Sequence, residues 1–579
     1  MSRPSLAALA VLALMTACKE DPAAGGKGDV DGQGGGGEEA ETTPLSFDLQ
    51  DPGDATYTDL VSLPVSGVVD GDDPVVTVNG VVAEVADGTW TVPAAHADVP
   101  WPDSPLYPIL GEATDAQGGW LRDRVTLAQG ESAEAGAPVP AAIGARLTDH
   151  ALLAFDPIIQ DTIAGLDLGE LLVTGAPVAT ILEGDVYVSA ASVGAITVDL
   201  DFTARGLAYT LVATDVDATL LVDWGIFDTD GDIAVDQIDV EGLVLMGASA
   251  GELTLSPLDT SVTITGLEVF GFDDPTGLID GLLNTFLSDT LADLLEEQVV
   301  ALADDLLSVL DEITNLELSG MVLNTRFSGV SHDEDGVTIF ADTAVSVTEG
   351  SMPATRFANP EAPPAISGMT TSTGEPYAVA LYLDDDLLSA IGAGLVGSGL
   401  LEQEVGGDLG GITLDTTLLG ASVPGFDTLP AGEDVTLSIS PTLAPLGTAG
   451  SAAPEAGRLH IGGLTADFLV PTVQDDPVMT VALDAIVGIG LGEEELLAVD
   501  VVDTRATLLS TTLGSTPAEV EPGLQTLIGL AVPLLVGDLL GGALDLSELP
   551  VELEPLESGP EGDRAAVYLD IGDVSGLEL

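Results

Sequence analysis

Lysine is almost missing from this chain. Lys19 and Lys27 are the only two in 579 residues, and the sequence beyond them carries nine arginines, singly or as the Arg122/Arg124 pair. Acidic residues number 96 against 12 basic ones, a formal net charge of -84. No basic stripe could neutralise phosphates, which excludes nucleic acid as a partner. Such a surface suits salty or divalent-rich surroundings, where counterions screen its self-repulsion; a lineage-wide composition bias is the alternative reading. Cysteine occurs once, at Cys18, so no intramolecular disulfide can form. The four histidines (His96, His150, His332, His460) are too scattered for a catalytic set or a zinc site. Aromatic residues make up only 4%, so the core must be built from Val, Leu, Ile and Ala, with few aromatic anchors for tight protein interfaces. The one run long enough to span a bilayer, 524–544, is interrupted by Pro533, Gly537, Asp538, Gly541 and Gly542, and is expected to be a buried helix instead.

What is present is a chain long enough for three or four domains, and 46% apolar residues, too many for a disordered acidic tail. It begins with Arg3, an apolar run over 6–15 and Thr16-Ala17 before Cys18. That run is half of what a bilayer requires, so 1–17 is expected to be a processed export signal. Leu14-Met15-Thr16-Ala17-Cys18 resembles the lipobox of bacterial lipoproteins, with Met15 where leucine is usual. The resemblance implies acylation of Cys18 as a lipid anchor in the cell envelope, and Lys19, standing where an Asp would favour inner-membrane retention, implies the outer membrane. Residues 18–44, rich in Gly, Glu and Asp, are expected to form a flexible tether that holds the next domain about 30 Å from the anchor.

From 45 to 130 short alternating segments are separated by turn pairs: Val75-Val76-Thr77-Val78, Asn79-Gly80, Val81-Val82-Ala83-Glu84-Val85, Asp87-Gly88, Thr89-Trp90-Thr91-Val92. Asn-Gly between alternating strands signals a tight hairpin because both turn residues need positive φ. The segments VVTVNG, DGTWTV and ATDAQGGWLRDRVTL resemble bacterial immunoglobulin-like domains of cell-envelope proteins, with Trp90 as the core tryptophan. That resemblance implies a spacer or an adhesive module.

After a short linker, 139–345 and 377–579 repeat one order of elements, joined by 346–376. The first unit opens with a helical stripe of Leu152, Phe155, Ile159, Ile163 and Leu166, interrupted at Pro157. It continues in strands such as Ile196-Thr197-Val198-Asp199-Leu200-Asp201-Phe202 and ends in a leucine-rich amphipathic helix over 277–313. The second opens with Asp384-Asp385-Asp386 leading into Leu387, Ile391 and Leu395, acids suiting a helix's first turn. Strands come next around 435–439, 464–470, 478–487 and 496–508, then an apolar helix over 522–544.

The segments LYLDDDLLSAIGAGLVGSGLLE, LSISPTLAPLG, GRLHIGGLTADFLV and LQTLIGLAVPLLVGDLLGGALDLSELPVELE resemble the family of bactericidal permeability-increasing protein and lipopolysaccharide-binding protein, best over 377–550. The resemblance implies an α+β fold: two tandem TULIP-like domains, each a long helix wrapped by a twisted antiparallel sheet, after the N-terminal all-β sandwich. It also implies a lipid ligand, phospholipid or another acyl-chain lipid, lined by Leu152, Phe155, Ile159, Leu387, Ile391 and Leu395. Two departures stand out: the family's disulfide cannot form, and no cationic tip exists to grip endotoxin phosphates. A packed α+β core with no cavity, in a structural or adhesive envelope protein, is the alternative.

Asp228, Asp230 and Asp232 place carboxylates at alternate positions, as calcium loops do, but the spacing is not that of an EF-hand. A loop of solvated acids is the plainer reading, a calcium site the other. Gly247-Ala248-Ser249-Ala250-Gly251 matches the serine-hydrolase pattern, yet a strand comes after it where a nucleophile elbow requires a helix. No enzyme activity and no cofactor other than calcium are expected.

Overall fold

The computed structural model describes residues 45–572 apart from 54–55, 59–61, 97–103, 166–172, 174–176, 178, 182–183, 224–227, 272–314, 319, 358–365, 410–411, 492–497 and 542–552. The export signal, Cys18, the tether and the helix expected over 277–313 lie outside the described residues.

The chain first forms a two-sheet sandwich. One sheet runs β1 (Ser46–Asp51), β2 (Ser62–Asp70), β6 (Thr89–His96) and β5 (Glu84–Ala86). The other runs β4 (Val81–Val82), β3 (Val75–Val78), β7 (Leu106–Thr114) and β8 (Trp120–Ala128). Both turn pairs behave as their chemistry demands, with φ of 45° and 78° at Asn79-Gly80 and 52° and 77° at Asp87-Gly88. Inward residues of both sheets share one core around the fully buried Trp90, including Val76, Val78, Ile109 and Leu127.

A short strand β9 (Glu131–Ala133) leads into β10 (Val139–Thr148), the organising strand of the molecule. It pairs with β19 (Gly336–Val347) on one side and β21 (Val379–Asp384) on the other. The full order of this seven-stranded sheet is β17 (Asn315–Leu318), β18 (Met321–His332), β19, β10, β21, β30 (Arg564–Ile571), β29 (Leu553–Glu561). Strands more than 200 residues apart in sequence therefore share a single ladder. The three-residue β20 (Thr355–Phe357) turns back to pair with β9 as a separate ribbon.

After β10 comes helix α1 (Asp149–Gly165), which runs through Pro157. It lies against a second sheet built from unusually long strands: β11 (Ala179–Ile181), β12 (Gly184–Thr203), β13 (Gly206–Asp223), β14 (Asp228–Ser249) and β15 (Glu252–Thr265), with β16 (Glu268–Phe270) on β14. The strict alternation of Ile196 to Phe202 marks only part of β12, which runs for 20 residues with its register shifted between Val188 and Ala190.

Helix α2 (Asp385–Gly397) starts where β21 ends, with Asp384 as N-cap accepting from the Asp386 amide. Beyond it β22 (Gln403–Leu409), β23 (Ile412–Leu414), the one-turn α3 (Thr416–Gly420), β24 (Thr436–Pro441), β25 (Leu446–Ala449), β26 (Glu455–Leu469), β27 (Met479–Gly490) and β28 (Ala498–Thr511) make up a third large sheet and its edge. Helix α4 (Pro517–Gly541) packs on it through Val520, Leu524 and Ile528, against Phe426, Phe468 and Val481.

The expected α+β architecture of long helices wrapped by sheet is corrected here. The described residues are 62% strand against 12% helix, with four helices among several antiparallel sheets. Alternating β-branched and Thr/Asp positions build strands of up to 22 residues, and these form the bulk of the molecule. The described helices lie on sheets, α1 spanning about 25 Å and α4 about 37 Å at 1.5 Å per residue. Among the described residues, no helix is long and apolar enough to cross a membrane.

Candidate functional site

One face of the long sheet is apolar from end to end. Val198 and Phe202 of β12, Leu207, Tyr209, Leu211, Val216 and Leu220 of β13, and Ile233, Val235, Ile238, Val240 and Val244 of β14 are all buried in one cluster. The opposite face is polar. Registers align Asp199, Thr210, Glu241 and Ser261 in one row and Thr197, Val212, Asp239 and Thr263 in the next. This division, broken by Val212 on the polar side, follows from the two-residue period of a strand, which sends most aliphatic side chains one way and acids and hydroxyls the other.

Helix α1 covers part of the apolar face. Ile159 is buried in its cluster, while Leu152 and Phe155 are half-buried against it. Polar clamps fix the helix: Asp149 accepts from the Phe202 amide at 3.1 Å, and Gln160 both donates to the Val198 carbonyl and accepts from the Val198 amide. At about 3.3 Å per residue the 22-residue β14 extends about 70 Å, more than twice the length of α1. An open cleft of about 730 Å³ lies at the β12–β13 hairpin end, lined by Asp201, Phe202, Arg205, Glu241, Asp259 and Glu334 among others.

The second expected stripe lies elsewhere. Leu387 and Leu395 are buried and Ile391 half-buried in a cluster with Val139, Ala142, Met321, Leu323 and Val345. These partners belong to β10, β18 and β19, so the two stripes do not meet, and α2 forms a joint with the central sheet. The joint is close-packed: a Cβ on Gly394 would lie 3.1 Å from a Val345 methyl and still nearer the Met321 sulfur.

Asp228, Asp230 and Asp232 fall within β14, where Asp and Gly had suggested a loop. Asp230 and Asp232 are exposed, and Asp232 accepts from the Thr219 hydroxyl at 3.1 Å. Consecutive same-face positions in a strand stand about 7 Å apart, so the Asp230 and Asp232 carboxylates run along an exposed face. The serine-hydrolase pattern forms a hairpin, Ser249 pairing with Glu252 across Ala250 and Gly251 at positive φ.

A group not singled out from the sequence as a site gathers at the start of α2. Carboxylate oxygens of Asp384, Asp385 and Asp386 all lie within 4.8 Å of one another, and all three residues are buried. Two guanidiniums flank them: Arg564 donates to Asp384 at 3.3 Å through two nitrogens, and Arg356 stands 4.0 Å from Asp385. Burial, partly offset by the Asp386 amide and by Arg564, pushes the Asp384 carboxyl up to about 6. Burial and the adjacent Asp386 charge push Asp385 up to about 7. The acid run was legible as a helix start; its burial depends on residues as distant as Arg564. Nearby His460, fully buried between Ser104 (3.3 Å) and Thr448 (2.9 Å), is held down to about 3 by burial and by Arg458 and Arg356.

No family model matches the sequence, and no curated protein is similar to it. Among solved structures the chain is similar to a crystal structure of lipopolysaccharide binding protein, with a TM-score of 0.40 and 14% identity, covering 75% of this chain and 100% of that one. It is also similar to the crystal structure of P47 of Clostridium botulinum E1, with a TM-score of 0.26 and 8% identity over the same shares. Superpositions this loose do not carry the ligand or role of either protein over to this chain.

Proposed function

We propose that the chain is a non-enzymatic cell-envelope lipoprotein, anchored in the outer membrane through acylated Cys18, that binds or transfers a phospholipid or other acyl-chain lipid against the apolar face of the long sheet. The observation that supports this reading is the continuity of that face. It is aliphatic and runs over three adjacent strands of 18 to 22 residues, buried beneath α1 and beneath Phe327 of β18 and Val337 and Ile339 of β19, which share its cluster. Smooth aliphatic surfaces of this kind accept acyl chains without directional polar contacts. Each buried methylene contributes roughly 0.8 kcal/mol, so an acyl chain laid along the strands would be retained through purification. Native mass spectrometry of the chain lacking residues 1–44, and thus lacking the anchor's own acyl groups, tests it: discrete lipid masses are expected, and a lipid-free spectrum together with no uptake of fluorescent phospholipid would reject it.

The packed joint around Leu387, Ile391 and Leu395 favours a second reading for the C-terminal half, a solid structural unit. The N-terminal sandwich, in the immunoglobulin-like reading, would serve as the mount between tether and body.

A further inference from the structure

The seam between the sandwich and the rest of the molecule is bridged by a histidine. His460 of β26 is fully buried, and its two ring nitrogens reach one hydroxyl on each side of the seam. Nδ1 stands 3.3 Å from Oγ of Ser104, just before β7 in the sandwich, and Nε2 stands 2.9 Å from Oγ1 of Thr448 in β25. Leu446, the ladder partner of His460, packs with Leu443 on Leu106 and Ala128, the apolar part of the same seam. Neither partner of the ring is a carboxylate. Two guanidiniums face it: Arg458, two residues back along β26 and so on the same side of the strand, and Arg356 of β20. Glu455 is the acid that acts on the ring in the opposite sense, and Arg458 already holds both of its oxygens, at 2.7 and 2.8 Å. The other charged and titratable groups at the seam are engaged as well. Asp385 of α2 and Tyr57 face Arg356, and Asp484 of β27 pairs with Arg124 of β8 at 2.6 Å.

We propose that His460 is an acid-release latch: uncharged, it ties the sandwich to the body, and on taking up a proton it drives the seam apart. The surroundings of the ring set this direction. An imidazolium here would be cut off from water, would have two hydroxyls where it needs a carboxylate, and would meet two like charges. The β25–β26 ladder closes the body side, so water returns to the ring when the sandwich lifts away, a movement that breaks the Ser104 bond and leaves the ladder intact. In the docked state burial, with Arg458 and Arg356, holds the ring down from 6.5 to about 3; once released it regains its ordinary value. Docking is therefore at full strength above about pH 6.5 and weakens by up to about tenfold per pH unit as pH falls from there toward 3.

Amide hydrogen exchange on the full chain, corrected for the intrinsic pH dependence of exchange, reads the seam at the Leu106 amide, which donates to Ser104 Oγ. Protection there should fall by at least about tenfold between pH 6.5 and 4.5, the equivalent of one pKa unit. The inner pairs of the sandwich, such as Val65 with Val92, and the β26–β27 ladder should hold over the same range. His460→Gln, whose amide can still bond both hydroxyls but takes no charge, should keep the seam protected at pH 4.5. Ser104→Ala, which removes the bond across the seam, should lower protection of the neighbouring Leu446 amide already at pH 7.5. A seam insensitive to acid, an unchanged fall in His460→Gln, or an unaltered seam in Ser104→Ala would overturn the proposal. So would loss of protection in the sandwich core and the β26–β27 ladder together with the seam, which would mean that acid unfolds the chain as a whole.

Discussion

Removing the Asp484 carboxylate should loosen the sandwich from the body at a cost that can be worked from the interface. Arg124 of β8 and Asp484 of β27 form an ion pair at 2.6 Å with both side chains only 4% exposed, and Arg124 Nη1, Asp484 Oδ1 and Thr126 Oγ1 beside it have no hydrogen-bond partner. Around the pair the contact is apolar. Leu106 and Ala128 pack on Leu443 and Leu446, and Trp120 reaches the core of the third sheet. Asp484→Ala would leave a guanidinium buried and uncompensated, a loss of about 3 to 5 kcal/mol. Replacing both partners by apolar residues, Arg124→Met with Asp484→Leu, removes the buried charges together and should be neutral or stabilising by about 1 to 4 kcal/mol. Urea unfolding followed by intrinsic fluorescence and circular dichroism would show the single variant's first transition at clearly lower urea and the double variant's at or above the wild-type midpoint. A single variant within about 1 kcal/mol of wild type, or a double variant as weak as the single, would refute the reasoning, since either outcome means that the pair is not desolvated.

Cys18→Ser should release the chain from the membrane fraction; retention in membranes would place the anchor elsewhere. Calcium-free binding to anionic vesicles should be weak or absent because of the -84 formal charge, and flotation of Cys18→Ser with such vesicles, with and without calcium, checks this; tight calcium-free binding contradicts it. His460, depressed from 6.5 to about 3 by burial, binds its proton more readily in the unfolded chain. Stability is therefore present above about pH 6.5 and lost as pH falls toward 3, at up to roughly 1.4 kcal/mol per pH unit. His460→Gln should flatten that acid limb in thermal melts, and an unaltered limb would show that another group carries it.

Local chemistry wrote some elements plainly into the sequence and left others out. The Asn79-Gly80 and Asp87-Gly88 hairpins were legible because positive φ selects those residues, α1 and α2 because their apolar positions recur at helical spacing, and α4 because its apolar run is long. The balance of the fold was not. Strand β12 shows clean alternation over seven residues yet runs for 20, since Ala, Ser and Gly in its first half blur the pattern. The central sheet depends on β10 finding β19 and β21 about 200 residues away, a pairing with no local signal. Asp228, Asp230 and Asp232 suggested a loop because Asp and Gly favour turns, but an exposed strand face accommodates acids equally well. The reverse misjudgement applies at Asp384 to Asp386, where acids suited to a solvated first turn are buried by Arg356, Arg564 and the elements that carry them.

The most direct test of lipid binding is photo-crosslinking. The chain lacking residues 1–44 would be loaded with a phospholipid carrying a photoactivatable group in its acyl chain, irradiated, digested and mapped by mass spectrometry. Labels are predicted on inward residues of the long sheet, such as Val198 and Phe202, Leu207, Tyr209, Leu211 and Ala213, and Ile233, Val235, Ile238 and Val240, and on Leu152 or Phe155 of α1. The absence of labelling, or labels confined to the acidic outer face at Asp199, Glu241 and Asp239, would contradict the account.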